Sequence, residues 1–284
     1  MSALTPSKVA CLGPEGSFSH EFAMARFPVA TPIPAPDSFE EVVGMVKSGE
    51  ADAAVLPFLN SNGVDVRPAQ AAIANARDWI CVNGCHPHQV VHNVVVAEGF
   101  SSLKRVVSKE QVFPQCTTWL GQWGDIEKVP ASSTSAALKD LLVAAKEERQ
   151  HTGAICNELA VSLYGGEIKW AGIQNPGNVT LFLVVSRQEP VAVESEALVC
   201  LTCPTEECYQ SAVNDFALAG MPLKFTSLKG EFTANLPCFL QFHVEGRADD
   251  VAKLVGSAHR TLIGTFSEHD SLASCVAGFF DDNY

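Results

Sequence analysis

The chain of 284 residues contains no uncharged apolar run of about 18 residues, the length that a membrane-spanning helix requires. It is also poor in basic residues, with 19 Lys and Arg against 32 Asp and Glu, which gives a formal net charge of -13. Nucleic acids and anionic membranes attract clustered Lys and Arg, so we expect neither as a partner. Residues 1–8 lack a basic segment followed by an apolar core, and we therefore expect a cytoplasmic location.

Apolar residues and cysteines, in contrast, are plentiful. At 47% hydrophobic residues, a chain of this length can bury the cores of two ordinary domains. Its ten cysteines are scattered over a large chain, unlike the dense cysteines of small secreted domains. In a reducing compartment such cysteines serve as small core residues, so we expect all of them to be reduced.

The N-terminal part predicts alternating strands and helices. Val9–Leu12 is an apolar strand, Gly13–Gly16 is a glycine loop, and Ser17 or Ser19 can cap the helix that follows. A second helix is expected from a capping box at Asp37 to a stop at Gly49.

The same alternation continues toward the middle of the chain. We expect strands at Val90–Val96 and Gly153–Ile155, and helices beginning at Pro114 and spanning Ser135–Ala145. Interleaved helices and strands predict an α/β fold with a mostly parallel sheet covered on both faces.

A break at residues 188–190 separates a smaller C-terminal unit. Its pattern predicts an α+β unit of β-α-β-β-α order. The expected elements are a strand at 197–203, a helix at 205–219, strands near 222–229 and 238–245, and a helix at 248–262.

Four ordered segments carry a resemblance to a known family. They are Gly13–Glu21, Ser132–Ala137, Asn157–Gly165 and Asn178–Thr180. Together they resemble the prephenate dehydratase family over about 8–187, followed by an ACT-like regulatory part over about 197–270. Each segment alone is a weak signal, and their common order and spacing make the resemblance specific.

The resemblance implies a fold and an activity. It implies a two-lobed, periplasmic-binding-protein-like catalytic domain at 1–190, with lobe one at about 8–85 and 170–190 and lobe two at about 90–168. It implies a ferredoxin-like, ACT-like domain at 196–284. The implied enzyme is a lyase that removes water and carbon dioxide from prephenate without a cofactor or metal. Its expected partners are a small carboxylic acid substrate and further copies of itself, in a homodimer or homotetramer.

The resemblance also implies the site residues. Thr180 is the expected catalytic residue, because the family assigns proton donation or positioning to the threonine of a Thr-Arg-Phe motif. Helix N-termini carry amide donors and a favourable dipole for substrate carboxylates. The expected substrate-binding residues are Ser17, Asn60, Ser61, Gln111, Ser133, Thr134 and Phe182.

Three positions depart from the family pattern. Leu181 stands where the family has the arginine of the motif, Leu59 stands where it has a glutamate, and Lys109 stands where it has a histidine. We expect all three around one cleft. Loss of an arginine that clamps a carboxylate costs about 1.5–3 kcal/mol, so Leu181→Arg is predicted to raise dehydratase activity.

The departures leave several functions open. Prephenate decarboxylases of the bacilysin type also resemble this chain and have leucine in place of the arginine; they release carbon dioxide and keep the ring hydroxyl. A natural-product enzyme acting on another cyclic acid, such as a tropone precursor, is a second alternative. A non-catalytic protein that senses a small acid is the third.

Histidines and cysteines give a competing metal hypothesis. His86, His88 and His92 would share one face of a strand and could ligate zinc. Pro87 interrupts strand pairing, however, and we favour a role for His92 at the cleft edge. Cys116 could be a helix-terminus thiol with a lowered pKa, although burial is the favoured interpretation.

The C-terminal unit has lost the effector motifs of the family. Glu206–Tyr209 and Ser227–Gly230 replace them, so we expect no feedback by phenylalanine and a role in dimerisation. Cys200 and Cys203 have the spacing of a zinc knuckle, but residues three apart face opposite sides of a strand.

Overall fold

The computed structural model describes residues 4–35, 38–61, 66–187, 195–202, 205–227, 237–244, 247–255 and 260–266. The first elements are β1 (Lys8–Leu12), α1 (Phe18–Arg26), β2 (Thr31–Ala35), α2 (Phe39–Ser48), β3 (Ala53–Asn60), α3 (Arg67–Asn75) and β4 (Cys81–Gln89). The next are β5 (Asn93–Val96), β6 (Arg105–Lys109), a 3-10 helix (Glu110–Cys116), α4 (Thr117–Leu120), a 3-10 turn (Gly121–Trp123), β7 (Glu127–Ala131), α5 (Thr134–Val143), α6 (Lys146–Arg149), β8 (Thr152–Cys156), α7 (Glu158–Tyr164) and β9 (Glu167–Trp170). The last are β10 (Val179–Ser186), β11 (Glu196–Leu201), α8 (Glu206–Leu218), β12 (Leu223–Thr226), β13 (Cys238–His243), α9 (Ala248–Val255) and β14 (Arg260–Phe266).

Two mixed sheets organise the described residues. A nine-stranded sheet has the order β12-β13-β11-β14-β4-β10-β3-β1-β2, and a five-stranded sheet has the order β7-β6-β8-β5-β9. After β5 to β9 have formed the second sheet, the chain returns to the first sheet as β10. This strand lies between β3 and β4 and is antiparallel to both. The predicted α/β class with two lobes is therefore confirmed. The expectation of a mostly parallel sheet is wrong, because β10 pairs antiparallel with β3 and β4, and β5 pairs antiparallel with β8 and β9.

Local capping explains where the first helices begin. Ser17 caps α1, and its hydroxyl oxygen accepts from the His20 amide at 3.2 Å. Ser38 caps α2 by accepting from the Glu41 amide at 3.1 Å, while the predicted cap, Asp37, lies outside the described residues. Gly49 ends α2 at φ 82°, a left-handed conformation that glycine adopts without strain.

The C-terminal unit has one strand more than predicted. The helix expected to reach residue 262 ends at Val255, and Arg260–Phe266 forms β14 instead. This stretch is rich in β-branched and apolar residues, and it pairs antiparallel with β11. The resulting β-α-β-β-α-β order and the strand order β12-β13-β11-β14 are those of a ferredoxin-like unit.

This unit shares a core with the first sheet. Strand β14 pairs parallel with β4 at Gly264 and Val82, so one sheet runs through both parts of the chain. The rings of Phe58 and Phe239 meet edge to face, with centroids 5.1 Å apart. Because Phe58 belongs to β3, the C-terminal unit supports that strand from behind.

Strand β4 continues through Pro87, contrary to the expectation that this proline interrupts pairing. Pro87 lies opposite Leu181 of β10. On the other side of β4, the described residues pair only at Val82, so no strand there needs the amide that proline lacks.

The described cysteines are free thiols. Eight of the ten are described, seven buried and Cys208 partly exposed, whereas Cys203 and Cys275 lie outside the described residues. Cys116 is fully buried, and burial raises its pKa to about 12, so the interpretation as a core thiol is confirmed. No helix among the described residues is both long enough and apolar enough to span a bilayer.

Candidate functional site

A cavity of about 350 Å³ is lined by residues of both sheets. On the side of the first sheet the cavity is lined by the start of α1, the end of β3 and the start of β10. On the side of the second sheet it is lined by the end of β6 and the start of α5. Seven of the eight predicted site residues line it: Ser17, Asn60, Gln111, Ser133, Thr134, Thr180 and Phe182. Elements that are far apart in sequence thus converge on one volume.

Ser61, the eighth predicted residue, holds the segment before β10 in place. Its hydroxyl donates to the Gly177 carbonyl at 2.7 Å and accepts from the Val179 amide at 3.0 Å. It therefore fixes the entrance of the strand that carries Thr180.

The Thr180 hydroxyl is oriented by a buried amide. Asn60 donates through Nδ2 to Thr180 Oγ1 at 2.9 Å and to Asn178 Oδ1 at 3.0 Å. Because Asn60 occupies an acceptor position of the hydroxyl, the Thr180 proton is left to donate elsewhere. Among the described residues no acceptor takes it, so it is available to a ligand in the cavity.

The same network continues to His92. Asn178 donates through Nδ2 to Gln115 Oε1 at 2.9 Å, and His92 Nε2 lies 3.0 Å from the same oxygen. A carboxamide oxygen only accepts, so Nε2 carries the proton and Nδ1 is an acceptor. The His92 side chain is 1% exposed, and burial lowers its pKa to about 4, so it is neutral near pH 7. Its Nδ1 has no hydrogen-bond partner among the described residues.

The three histidines of the metal hypothesis do not meet. His86 and His88 pack near the Phe22 ring, and His88 Nε2 lies 3.4 Å from Glu21 Oε2. His92 lies beyond the end of β4 and lines the cavity. No group of three or more His, Cys, Asp or Glu side chains in the described part of the chain could hold a metal.

Of the three positions that depart from the family pattern, only Lys109 lines the cavity. Leu181 is 0% exposed and Leu59 is 4% exposed, and both belong to the main apolar core. Successive side chains of a strand face opposite sides, so Thr180 and Phe182 reach the cavity while Leu181 points into that core. The expectation that Leu59 and Leu181 surround the cleft is therefore wrong.

Leu59 and Leu181 are also cross-strand partners. They lie directly opposite each other in the antiparallel pairing of β3 and β10. Opposed side chains on one face of a sheet have Cβ atoms about 5 Å apart. The glutamate and arginine that the family pattern has at these positions would therefore be neighbours, and this chain replaces both by an apolar pair.

Two helices start at the cavity, one from each sheet. The Ser17 hydroxyl donates to the Leu12 carbonyl at 2.7 Å, and Ser133 Oγ accepts from the Ala136 amide at 2.9 Å. Both side chains are thus engaged by their own segments. What α1 and α5 offer a ligand is mainly the positive end of each helix.

The loop before α1 joins the two sheets beside the cavity. The Tyr164 hydroxyl donates to the Glu15 carbonyl at 2.9 Å. Gly16 has φ 77°, and a Cβ there would come within 3.1 Å of Ser135 Oγ and the Ala160 Cα. Only glycine satisfies both the conformation and this close approach.

Sequence relatives include bifunctional chorismate mutase/prephenate dehydratases. The protein from Pseudomonas aeruginosa is 30% identical over 191 residues, which is 65% of this chain and 50% of the relative. The one from Stutzerimonas stutzeri is 29% identical over 188 residues, again 65% of this chain and 50% of the relative. The chain spans about half the length of the curated relatives it matches.

Solved structures share the fold at lower identity. Prephenate dehydratase from Arthrobacter aurescens, in complex with L-Phe, superposes with a TM-score of 0.74 at 21% identity, covering 95% of this chain and 96% of that one. The protein described as GqqA, a novel type of quorum quenching acylase, gives 0.72 at 20% identity, covering 90% and 96%. These likenesses show the fold.

A family model decides the assignment. The model described as prephenate dehydratase matches residues 9–190, which contain the cavity, the Asn60–Thr180 hydrogen bond and all the residues expected to bind substrate. The chain belongs to the prephenate dehydratase family.

Proposed function

We propose that the chain is a lyase that removes water and carbon dioxide from prephenate or a closely related cyclic acid. Thr180 would donate a hydrogen bond to the departing hydroxyl. The observation that carries the proposal is the Thr180 hydroxyl itself, which lines the cavity and accepts from Asn60 at 2.9 Å. This bond orients the hydroxyl before a substrate arrives.

The chemistry needs little more from the protein. The bond between the ring and its carboxylate breaks and releases carbon dioxide, and its electron pair enters the ring. The bond between the ring and its hydroxyl breaks, and the departing hydroxide takes a proton through the Thr180 hydroxyl, which solvent reprotonates, to become water. A donor placed where that negative charge develops is worth about 10²–10³ in rate, and formation of an aromatic ring supplies the driving force.

Two observations support dehydration over the decarboxylase alternative. A donor for the leaving hydroxyl is retained at Thr180 and faces the cavity. The missing arginine does not change the cavity wall, because Leu181 is buried on the other face of the sheet. Leu181 therefore does not indicate a site that is rebuilt for a different outcome.

The proposal includes the division of the chain. Residues 1–190 form the catalytic part and 196–284 form an ACT-like part, and the family match that ends at residue 190 supports this boundary. The shared core around Phe58 and Phe239 implies that the two parts are stable as one body.

Turnover of prephenate tests the proposal. The purified full chain is incubated with prephenate at neutral pH, and the aromatic keto acid and carbon dioxide are measured together against a protein-free control. Equal amounts of both support the dehydratase. Carbon dioxide with a non-aromatic product indicates a decarboxylase, and no product above background shows that another cyclic acid, another reaction or simple binding must be tested.

A further inference from the structure

Among the described residues that line the cavity, a single one carries a charged side chain, and it is a lysine. Lys109 ends strand β6, is exposed, and lines the cavity. No Asp or Glu is among the lining residues that the structure describes, although the chain has 32 of them and a net charge of -13. An unbalanced cation in a cavity of an acidic protein favours anions there.

Within the described ranges of the chain, no carboxylate neutralises this lysine. Among the described residues none forms an ion pair or hydrogen bond with the Lys109 ammonium. The nearby surface cation Arg105, at the other end of β6, is in contrast paired with Glu127 at 2.8 Å and Glu148 at 2.9 Å.

A second donor lies on the same side of the cavity. Lys109 is in register with Ala131 of β7, two residues before Ser133, the N-cap of the ten-residue helix α5. Thr134, the first residue of that helix, is 6% exposed and lines the cavity. Its hydroxyl has no hydrogen-bond partner among the described residues, and the residue lines the cavity. A threonine hydroxyl can donate one hydrogen bond, so it can donate to a ligand oxygen there.

We propose that Lys109 and Thr134 bind, at the N-terminus of α5, the substrate carboxylate that the reaction retains. The inference rests on the proposed function, and it gives the substrate an orientation. The carboxylate lies at the second sheet, and the leaving hydroxyl lies at Thr180 on the first sheet. One ammonium matches the single charge of a carboxylate.

Lys109 variants test the charge. Lys109→Met keeps the length of the side chain without its charge, Lys109→Arg keeps the charge, and Lys128→Met removes an exposed lysine of β7 that does not line the cavity. A charge-assisted contact implies that Lys109→Met raises KM for prephenate about tenfold to a hundredfold. We expect kcat to change much less. We expect Lys109→Arg to recover most of the affinity lost in Lys109→Met because it keeps the charge, and Lys128→Met to stay within about threefold of the parent, as for surface changes outside the contact.

A binding readout separates this inference from the proposed function. Affinity for phenylpyruvate, which carries a carboxylate but undergoes no dehydration, is measured by calorimetry at low and high salt. Lys109-dependent binding that weakens with salt supports the carboxylate site even if prephenate is not turned over. Turnover of prephenate with unchanged KM in Lys109→Met refutes the carboxylate site and leaves the proposed function standing. Absence of phenylpyruvate binding to the parent protein, or equal losses in Lys109→Met and Lys128→Met, also refutes it.

Discussion

Replacement of Leu181 by arginine distinguishes a core position from a cleft position. The side chain is fully buried, and its cross-strand partner is Leu59, so the guanidinium would enter an apolar core without an anion. The family pattern alone predicts a gain of dehydratase activity, whereas the structure predicts a loss of stability.

The magnitude follows from the cost of an unpaired buried charge. Such a charge destabilises a protein by about 3–5 kcal/mol, against a typical free energy of unfolding of about 5–15 kcal/mol. Leu59→Glu alone should be similarly damaging. The double variant Leu59→Glu/Leu181→Arg places opposite charges on paired positions, so we expect it to recover about 2–3 kcal/mol relative to the sum of the single changes.

The parent, the two single variants and the double variant form a double-mutant cycle. The free energy of unfolding of each is measured by denaturant unfolding followed by circular dichroism. Leu59→Glu/Leu183→Arg is the matched control, because Leu183 lies on the same buried face but pairs with Leu56. Recovery of stability in Leu59→Glu/Leu181→Arg and not in Leu59→Glu/Leu183→Arg supports the pairing of Leu59 with Leu181 between β3 and β10. A stable Leu181→Arg single variant with a lower KM for prephenate would falsify the placement of Leu181 in the core.

Three further predictions concern the site and its support. Thr180→Val should lower kcat by about 10²-fold while Thr180→Ser retains most activity, as measured by keto acid formation; equal rates in the two variants contradict a role for the hydroxyl. The pKa of His92 is about 4 in the folded protein and 6.5 for an unperturbed imidazole, the value we take for the unfolded chain. Between pH 4 and 6.5 the unfolded chain therefore binds more protons, so the free energy of unfolding falls as the pH drops from 6.5 to 4. The loss of stability approaches about 3 kcal/mol, so the free energy of unfolding in urea should depend less steeply on pH in His92→Gln than in the parent. The same pH dependence in both proteins would contradict a neutral, buried His92. Phe239→Ala should destabilise the whole chain by about 3–5 kcal/mol, because its ring packs on Phe58; two separate unfolding transitions would show that the core is not shared.

Several elements were predictable because their signals are local. A serine at the start of an apolar repeat predicts the beginning of α1 and α5, and a glycine predicts the end of α2, since each acts within one helical turn. Strand β14 was not predictable in this way. Its segment follows a helix without a strong stop signal, and only its pairing with β11 and β4 makes it a strand.

Most residues of the site could be predicted from the sequence. Their motifs lie at the ends of strands and helices, where elements of both sheets converge. His92 was expected at the cleft edge, and the structure adds its hydrogen bond to Gln115. The roles of Gln115 and Asn178 were missed. Asn178 lies in a segment similar to the family, but neither spacing nor residue type indicates that Asn178 and Gln115 join Asn60 to His92.

The sequence by itself determined that this chain resembles the prephenate dehydratase family and that Thr180 and Phe182 share one face of a strand, because alternation is a property of the strand alone. It could not determine which face meets the cavity. The tertiary structure decided this by pairing β10 with β3 and β4 and by packing a core against the face that carries Leu181. Which face of a strand lines the cavity depends on what packs against each face of its sheet, and those residues are distant from the strand in the sequence.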